Sequence, residues 1–357
     1  MISTEFISRR RLVTADLARR RLDLFLISNL VNVRYLTGFT GSNALLLLSP
    51  DGAVLYTDGR YRIQATEETE CTVKVVQGSL IPRVAKSLPR GRLGFEAAHL
   101  TFDAYRTLKA HLPSKVAAMP VDGLVEEYRM VKSEAEIETM RRSAALACNA
   151  FEQTLQHVRP GIRELDLAAE LDYRMRRLGA ESPAFETIVA SGERSALPHA
   201  SPTAKVLGNQ EILLIDMGAF LEGYASDMTR TIFLGAARPK AKRFHHAVLE
   251  AQQAALEAVR EGTAAKSVDR AARRVLRTAG LERAFVHSTG HGLGLEIHES
   301  PRVARKVELQ LKAGMAITVE PGVYLQGFGG IRIEDMVVVN RGGCEILTPA
   351  SKELIEL

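Results

Sequence analysis

The chain has 357 residues, 46% of them hydrophobic and 25% charged, which suits a globular protein of two domains whose cores need no staples. Its 47 Lys+Arg and 42 Asp+Glu leave a net charge of +5 scattered along helical stretches, and with 6% aromatics and no tryptophan this argues against a nucleic-acid interface. Three dispersed cysteines, Cys71, Cys148 and Cys344, argue against a disulfide framework or zinc ribbon and suit a reducing, cytoplasmic setting. No apolar run reaches the roughly 18 residues of a membrane span, and no apolar signal segment follows Arg9–Arg11.

Residues 1–125 read as an α/β domain. Arg9 to Leu22 has helical spacing, and Leu24–Ser28 is a short apolar run of strand type. Two further strands, Ala44–Leu48 and Ala53–Thr57, flank the turn Ser49-Pro50-Asp51-Gly52. A helix from Arg60, a strand over Val73–Val76 and a helix over Phe102–His111 complete it, and Pro113–Gly123 is the expected linker. Residues 126–357 read as an α+β domain. Ser133 and Glu136 predict a capping box that opens a long helix ending before Pro160-Gly161. A second helix is predicted over Arg163–Leu178, closed by Gly179. Strands are expected at 211–220, 223–234, 315–320 and 331–339, with a helix pair at 240–260 and 267–279 between them. The sheet is then built from hairpins rather than βαβ crossovers.

Five residues carry the chemistry. Ile212–Gly218 and Gly223–Thr229 read as two strands of a hairpin, and with Leu221 and Glu222 as its loop Asp216 stands opposite Asp227. Like charges facing each other destabilise a sheet, and a carboxylate ending an apolar run is costly unless paired; a bound cation turns that repulsion into a chelate. Glu320 ends the apolar strand Ala316–Val319 just before Pro321-Gly322. In Ile331-Arg332-Ile333-Glu334, alternation sends Arg332 and Glu334 to one face and the isoleucines to the other. His291 lies among three glycines in Ser288-Thr289-Gly290-His291-Gly292-Leu293-Gly294, which let the backbone turn tightly. Singly, each of these is ordinarily a strand-end acid or a loop histidine. Together they form an oxygen-rich donor set with one nitrogen, suited to Mn²⁺, Co²⁺, Fe²⁺ or Zn²⁺. Four carboxylates also balance two divalent ions, as a two-metal hydrolytic site requires.

The strings IDMGAFLEGYASDMTRT, STGHGLGLEIHE, TVEPGVY and IRIED closely resemble the proline-specific aminopeptidases and prolidases of the pita-bread (M24) metallopeptidase family. The resemblance spans nearly the whole chain and is most specific over residues 180–340. It implies a creatinase/prolidase-like N-terminal α/β domain before an α+β pita-bread catalytic domain. It also implies two divalent ions, manganese foremost, with cobalt, zinc or iron as alternatives, held by Asp216, Asp227, His291, Glu320 and Glu334. Asp227 and Glu334 would bridge, and a hydroxide shared by the metals would attack the peptide. His199 and His298 would contact substrate and stabilise the tetrahedral intermediate, Glu320 would also handle protons, and Arg332 would orient the neighbouring acids. Phe185 and Tyr324 are implied as pocket-lining residues. His245 and His246 match no motif and are expected to decorate a helix.

Proline-containing peptides are the implied substrates and a homodimer the implied assembly, with no nucleic-acid or membrane partner. NVRYLTGFTGSNA and TDGRY resemble the leading domain of aminopeptidase P more than that of the dipeptidases, so removal of the residue before a penultimate proline is the expected activity. An Xaa-Pro dipeptidase is the alternative. It would need a cation for the proline carboxylate, which Arg302, Arg305 or Lys306 offers. A non-catalytic protein-binding relative is a further reading, opposed by the intact donor set and both histidines. A creatinase-like hydrolase would not need all five ligands, and methionine aminopeptidases typically lack the large leading domain.

Overall fold

Leu24-Phe25-Leu26-Ile27 is buried at all four positions because it lies inside a sheet rather than at an edge. In the computed structural model, which describes residues 4–357, the chain divides into two units, Met1–Arg129 and Met130–Leu357. The first unit is a six-stranded sheet in the order Thr72–Val75, Gly52–Thr57, Ala44–Ser49, Leu24–Ile27, Gly91–Glu96, Val116–Val121. Its middle pairings are antiparallel and its flanking ones parallel. Thr4–Arg19, Leu30–Thr37, Leu80–Lys86 and Phe102–His111 are among its helices.

The expected linker is in part a strand. Val116–Val121 hydrogen-bonds in parallel to Gly91–Glu96 along its whole length. Pro120 is accommodated because this strand is the edge of the sheet, where a missing N–H costs little. The helix Leu124–Arg129, which straddles the expected boundary at 125, falls in the first unit.

The second unit begins with Glu134–Leu155, capped by the reciprocal Ser133–Glu136 pair, and Glu164–Arg177, after which Gly179 turns the chain at φ 109°. Two antiparallel-rich sheets follow. One has the order Ile355–Glu356, Met228–Phe233, Ile212–Met217, Ile188–Ser191, and the other the order Glu299–Val303, Gly290–Gly292, Ala316–Val319, Asp335–Val339, Cys344–Ile346. A separate hairpin joins Gly322–Leu325 to Gly329–Arg332.

Alternation decides what each strand offers. Leu213, Ile215 and Met217 pack with Phe151, Leu167 and Leu171 of the two leading helices, while Leu214 lies in a second cluster against which Tyr324 packs. Ile317, Val319, Ile331 and Ile333 pack against the helices Pro239–Ala258 and Ala265–Thr278. Each such apolar side chain stabilises by roughly 1.5–3 kcal/mol on burial, so the polar residues between them are driven to the opposite face. His245 does not decorate a surface. It is buried within Pro239–Ala258, where burial lowers its pKa to about 4, whereas His246 is exposed. Among the described residues no helix is long and apolar enough to cross a membrane.

Candidate metal centre

The hairpin that carries both aspartates turns at Glu222-Gly223, with φ 50° and 81°, the left-handed pair of a two-residue hairpin loop. Leu221 therefore faces Tyr224, and Asp216 faces Thr229 rather than Asp227. The expected register is displaced by two residues, and because the side-chain period is also two, the carboxylates keep a common face. Asp227 comes level with Gly218, where a Cβ would lie 1.9 Å from Ser226 O; only glycine admits so close an approach.

Asp216 is the penultimate residue of Ile212–Met217 and Asp227 directly precedes Met228–Phe233, Glu320 follows Ala316–Val319, Glu334 links Gly329–Arg332 to Asp335–Val339, and His291 is central in Gly290–Gly292. Donor atoms of Asp227, His291 and Glu334 all lie within 4.8 Å of one another. His291 Nε2 is 3.5 Å from Asp227 Oδ2 and 3.6 Å from Glu320 Oε1. Its Nδ1 donates to Gly292 O at 3.0 Å, which assigns the proton to Nδ1 and leaves the Nε2 lone pair directed at the carboxylates.

Asp216 joins the group through Arg332, whose Nη2 donates to Oδ2 at 2.6 Å. Asp216 Oδ1 is buried and has no hydrogen-bond donor among the described residues. Such an oxygen is costly unless something positive meets it. Burial, then Asp216 and Glu320, raises the Asp227 carboxyl well above its ordinary value; burial, then Asp227 and Glu320, does the same to Glu334. Burial also raises Glu320, against the opposing charges of His291 and Arg332. Four crowded acids, an unsatisfied oxygen and an imidazole lone pair fit divalent cations, and these five residues could hold them.

Around the acids runs a hydrogen-bonded brace. Thr229 Oγ1 accepts from Arg332 Nε at 2.9 Å and donates to Glu334 Oε2 at 2.7 Å. Arg332 Nη1 donates to Tyr324 Oη at 2.5 Å; that hydroxyl donates to His287 Nε2 at 2.9 Å, and His287 Nδ1 to Ser288 O at 2.8 Å. This chain of donors requires an uncharged His287, and burial, helped by Arg332, lowers its pKa to about 3. Burial pushes Tyr324 up to about 12. Thr229 and His287 are absent from the residues picked out by sequence. Thr229 lies inside the DMTRT string, but nothing in a linear pattern singles out its hydroxyl.

The His298 ring lies 4.4 Å from the His291 ring, tilted by 60°, and is otherwise exposed. Burial, then His291 and His199, lowers its pKa. His199 is exposed beside Pro198, whose carbonyl accepts from Arg332 Nη1 at 3.2 Å. Its loop is anchored by Glu164, which accepts from Ser191 and Thr203, and by Ser195 Oγ, which accepts from Gly330 N at 2.8 Å. Phe185 is half-buried with its edge toward Gly218. Arg302 is exposed on Glu299–Val303 and forms no ion pair among the described residues, whereas Arg305 lies 3.5 Å from Glu282. Just after His298, Glu299 forms a buried 3.1 Å pair with Lys132, another residue without a motif.

Residues 138–341 match metallopeptidase family M24, and residues 9–131 match the creatinase/prolidase N-terminal domain. The chain is 36% identical to an Xaa-Pro dipeptidase of Pyrococcus furiosus over 94% of its own length and 95% of that protein's. An Xaa-Pro dipeptidase structure from Bacillus anthracis superimposes with a TM-score of 0.96 at 38% identity, covering 99% of this chain and 100% of that one. An X-Pro aminopeptidase structure from Thermotoga maritima MSB8 does so with a TM-score of 0.91 at 36% identity, covering 98% and 99%.

Proposed function

This chain belongs to metallopeptidase family M24, and from that premise we propose that it hydrolyses Xaa-Pro dipeptides with divalent cations, manganese foremost, held by Asp216, Asp227, His291, Glu320 and Glu334. The observation that carries the metal centre is the set of Asp227, His291 and Glu334 donor atoms within 4.8 Å of one another, with Glu320 3.6 Å from His291 Nε2 and a buried Asp216 oxygen that has no hydrogen-bond partner among the described residues. Two such ions supply a water of lowered pKa and a Lewis acid for the scissile carbonyl.

The chain's own residues do the rest. Arg332 holds Asp216 directly and Glu334 through Thr229, so two acids share one rigid brace. His298, its pKa lowered, remains neutral and can still donate one N–H to the carbonyl oxygen as charge develops there. The imide nitrogen of proline carries no hydrogen and leaves as an amine that needs a proton. Glu320, 3.6 Å from His291 Nε2 at the edge of the donor group, is the carboxylate placed to carry it. Tyr324 and Phe185 form the wall for the ring.

The dipeptide reading rests on the dipeptidase names of several relatives and on Arg302, an unpaired cation four residues beyond His298 that suits a free carboxylate. An aminopeptidase has no use for such a cation, since its substrate continues past the proline. The test is kcat/KM for Xaa-Pro beside Xaa-Pro-Yaa on manganese-loaded protein. Dipeptides should be preferred, and Arg302→Ala should lower dipeptide kcat/KM by about 10–100-fold, chiefly through KM, as loss of a charge-assisted hydrogen bond of ~1.5–3 kcal/mol implies. Equal cleavage of both lengths, unchanged in Arg302→Ala, would return the chain to the aminopeptidase reading. Chelation should abolish either activity and Mn²⁺ or Co²⁺ restore it.

A further inference from the structure

The segment Phe285–Thr289 leads into the strand bearing His291, yet it belongs to no strand itself. Polar groups at alternate positions along it are taken up by one helix, Ala265–Thr278. Arg273 Nη1 donates to Phe285 O at 3.1 Å and Nη2 to His287 O at 2.5 Å. The same guanidinium lies 4.1 Å from the centre of the Phe285 ring, and its Nε donates to Asp269 Oδ2 at 2.7 Å. The other Asp269 oxygen accepts from Thr289 Oγ1 at 2.9 Å. Asp269 is 1% exposed and Thr289 is fully buried.

Thr289 is the junction. Its hydroxyl holds the helix, its N–H donates to Val303 O at 2.9 Å, and its carbonyl accepts from Glu320 N at 2.7 Å. The residue that fixes the Glu320 backbone therefore stands two positions before His291, and a shift of Thr289 would move both donors at once. A buried ion pair such as Asp269–Arg273 is weak evidence for stability, because desolvation offsets its attraction. Placement is what this one contributes.

We propose that Asp269, Arg273 and Thr289 are positioning residues for the metal centre, transmitting the location of the Ala265–Thr278 helix to His291 and Glu320. The proposal rests on the metal-centre reading above. Loss of a partner that orients metal ligands typically weakens metal binding by about 10–100-fold.

The experiment titrates Mn²⁺ calorimetrically into the full-length, metal-stripped wild-type, Thr289→Val and Thr289→Ser proteins, and records the thermal midpoint of each without metal. Thr289→Val keeps the shape and removes the hydroxyl, so it should bind Mn²⁺ about 10–100-fold more weakly. Thr289→Ser keeps the hydroxyl and should match the wild type, whatever small changes in midpoint accompany either. Wild-type affinity in Thr289→Val, or equal weakening in Thr289→Ser, would overturn the proposal. Should Thr289→Val not fold, Asp269→Asn takes its place: it withdraws the anion from Arg273, and undiminished Mn²⁺ affinity would overturn the proposal equally. Failure of the wild-type chain itself to bind Mn²⁺ would instead remove the metal-centre reading, and this inference with it.

Discussion

Glu334 and Asp335 are neighbours in sequence and opposites in environment. Alternation turns Glu334 toward the other acids, where burial and then Asp227 raise its pKa well above the ordinary carboxylate range. Asp335 faces the other way and, although burial opposes its charge, Arg230 and Lys352 at 2.9 and 2.7 Å hold it below its usual value. The two should fail differently. Glu334→Ala removes one of the three donors that lie within 4.8 Å and should leave the purified protein short of metal by elemental analysis. Asp335→Ala strands a buried Arg230 and should cost about 3–5 kcal/mol in denaturant unfolding. His298 differs from both, being exposed and outside the donor set. His298→Ala should retain its metal and lose about 10²–10³ in kcat, the usual worth of one donor to a developing oxyanion. Metal loss in that variant, or an unchanged kcat, would contradict the role proposed for it.

At the scale of elements, the hairpin Ile212–Phe233 shows why a site can be half read from sequence. Its apolar run and terminal aspartates are visible in the linear pattern, but its register depends on which two residues take positive φ. Glu222 does so at 50°, a conformation that few non-glycine residues adopt, and this moves the loop one residue along. Even displacement preserved the face and changed only the partners. Gly218 is then the place where the hairpin is most sensitive, since an added Cβ would meet Ser226 O at 1.9 Å. Gly218→Ala should push the Asp227 segment away from Asp216, costing about 1–3 kcal/mol as overpacking does. Weakened Mn²⁺ binding should accompany the lower thermal midpoint. A midpoint shift with unaltered Mn²⁺ affinity would mean that the spacing of the two aspartates is not set there.

For the molecule as a whole, stability and metal should be linked through pH. A carboxyl whose folded pKa is raised contributes stability that is fully present below its unfolded value, 3.8 for Asp227 and 4.5 for Glu334, and lost as pH rises through the folded value. On this account metal-free protein loses stability from these groups as pH rises from those unfolded values through the raised folded ones. Divalent cations favour the ionised forms and expel the protons, so the stabilisation conferred by saturating Mn²⁺ should grow over the same interval. Thermal midpoints with and without Mn²⁺ at several pH values check this. A Mn²⁺-induced gain that shrinks as pH rises would show that these carboxyls are not the ones that meet the metal.

Sequence alone determined the division into a leading α/β and a trailing α+β domain and the capping box at Ser133, and it singled out four acids and a histidine, of which Asp227, His291 and Glu334 come within 4.8 Å of one another. These are short-range matters: periodicity, caps, and acids placed where apolar strands end. Tertiary structure alone decided that Val116–Val121 is an edge strand rather than a linker, that Thr229 and His287 complete the brace around the acids, and that Asp269 and Arg273 hold Thr289 from a helix. Those residues act through single hydrogen bonds to groups remote in the chain, and a hydrogen bond leaves no period or spacing in a sequence. Burial was equally undecided in one dimension. Asp216, Asp227 and Glu334 become a strained group only when two sheets bring them together and exclude the water that would have kept them apart.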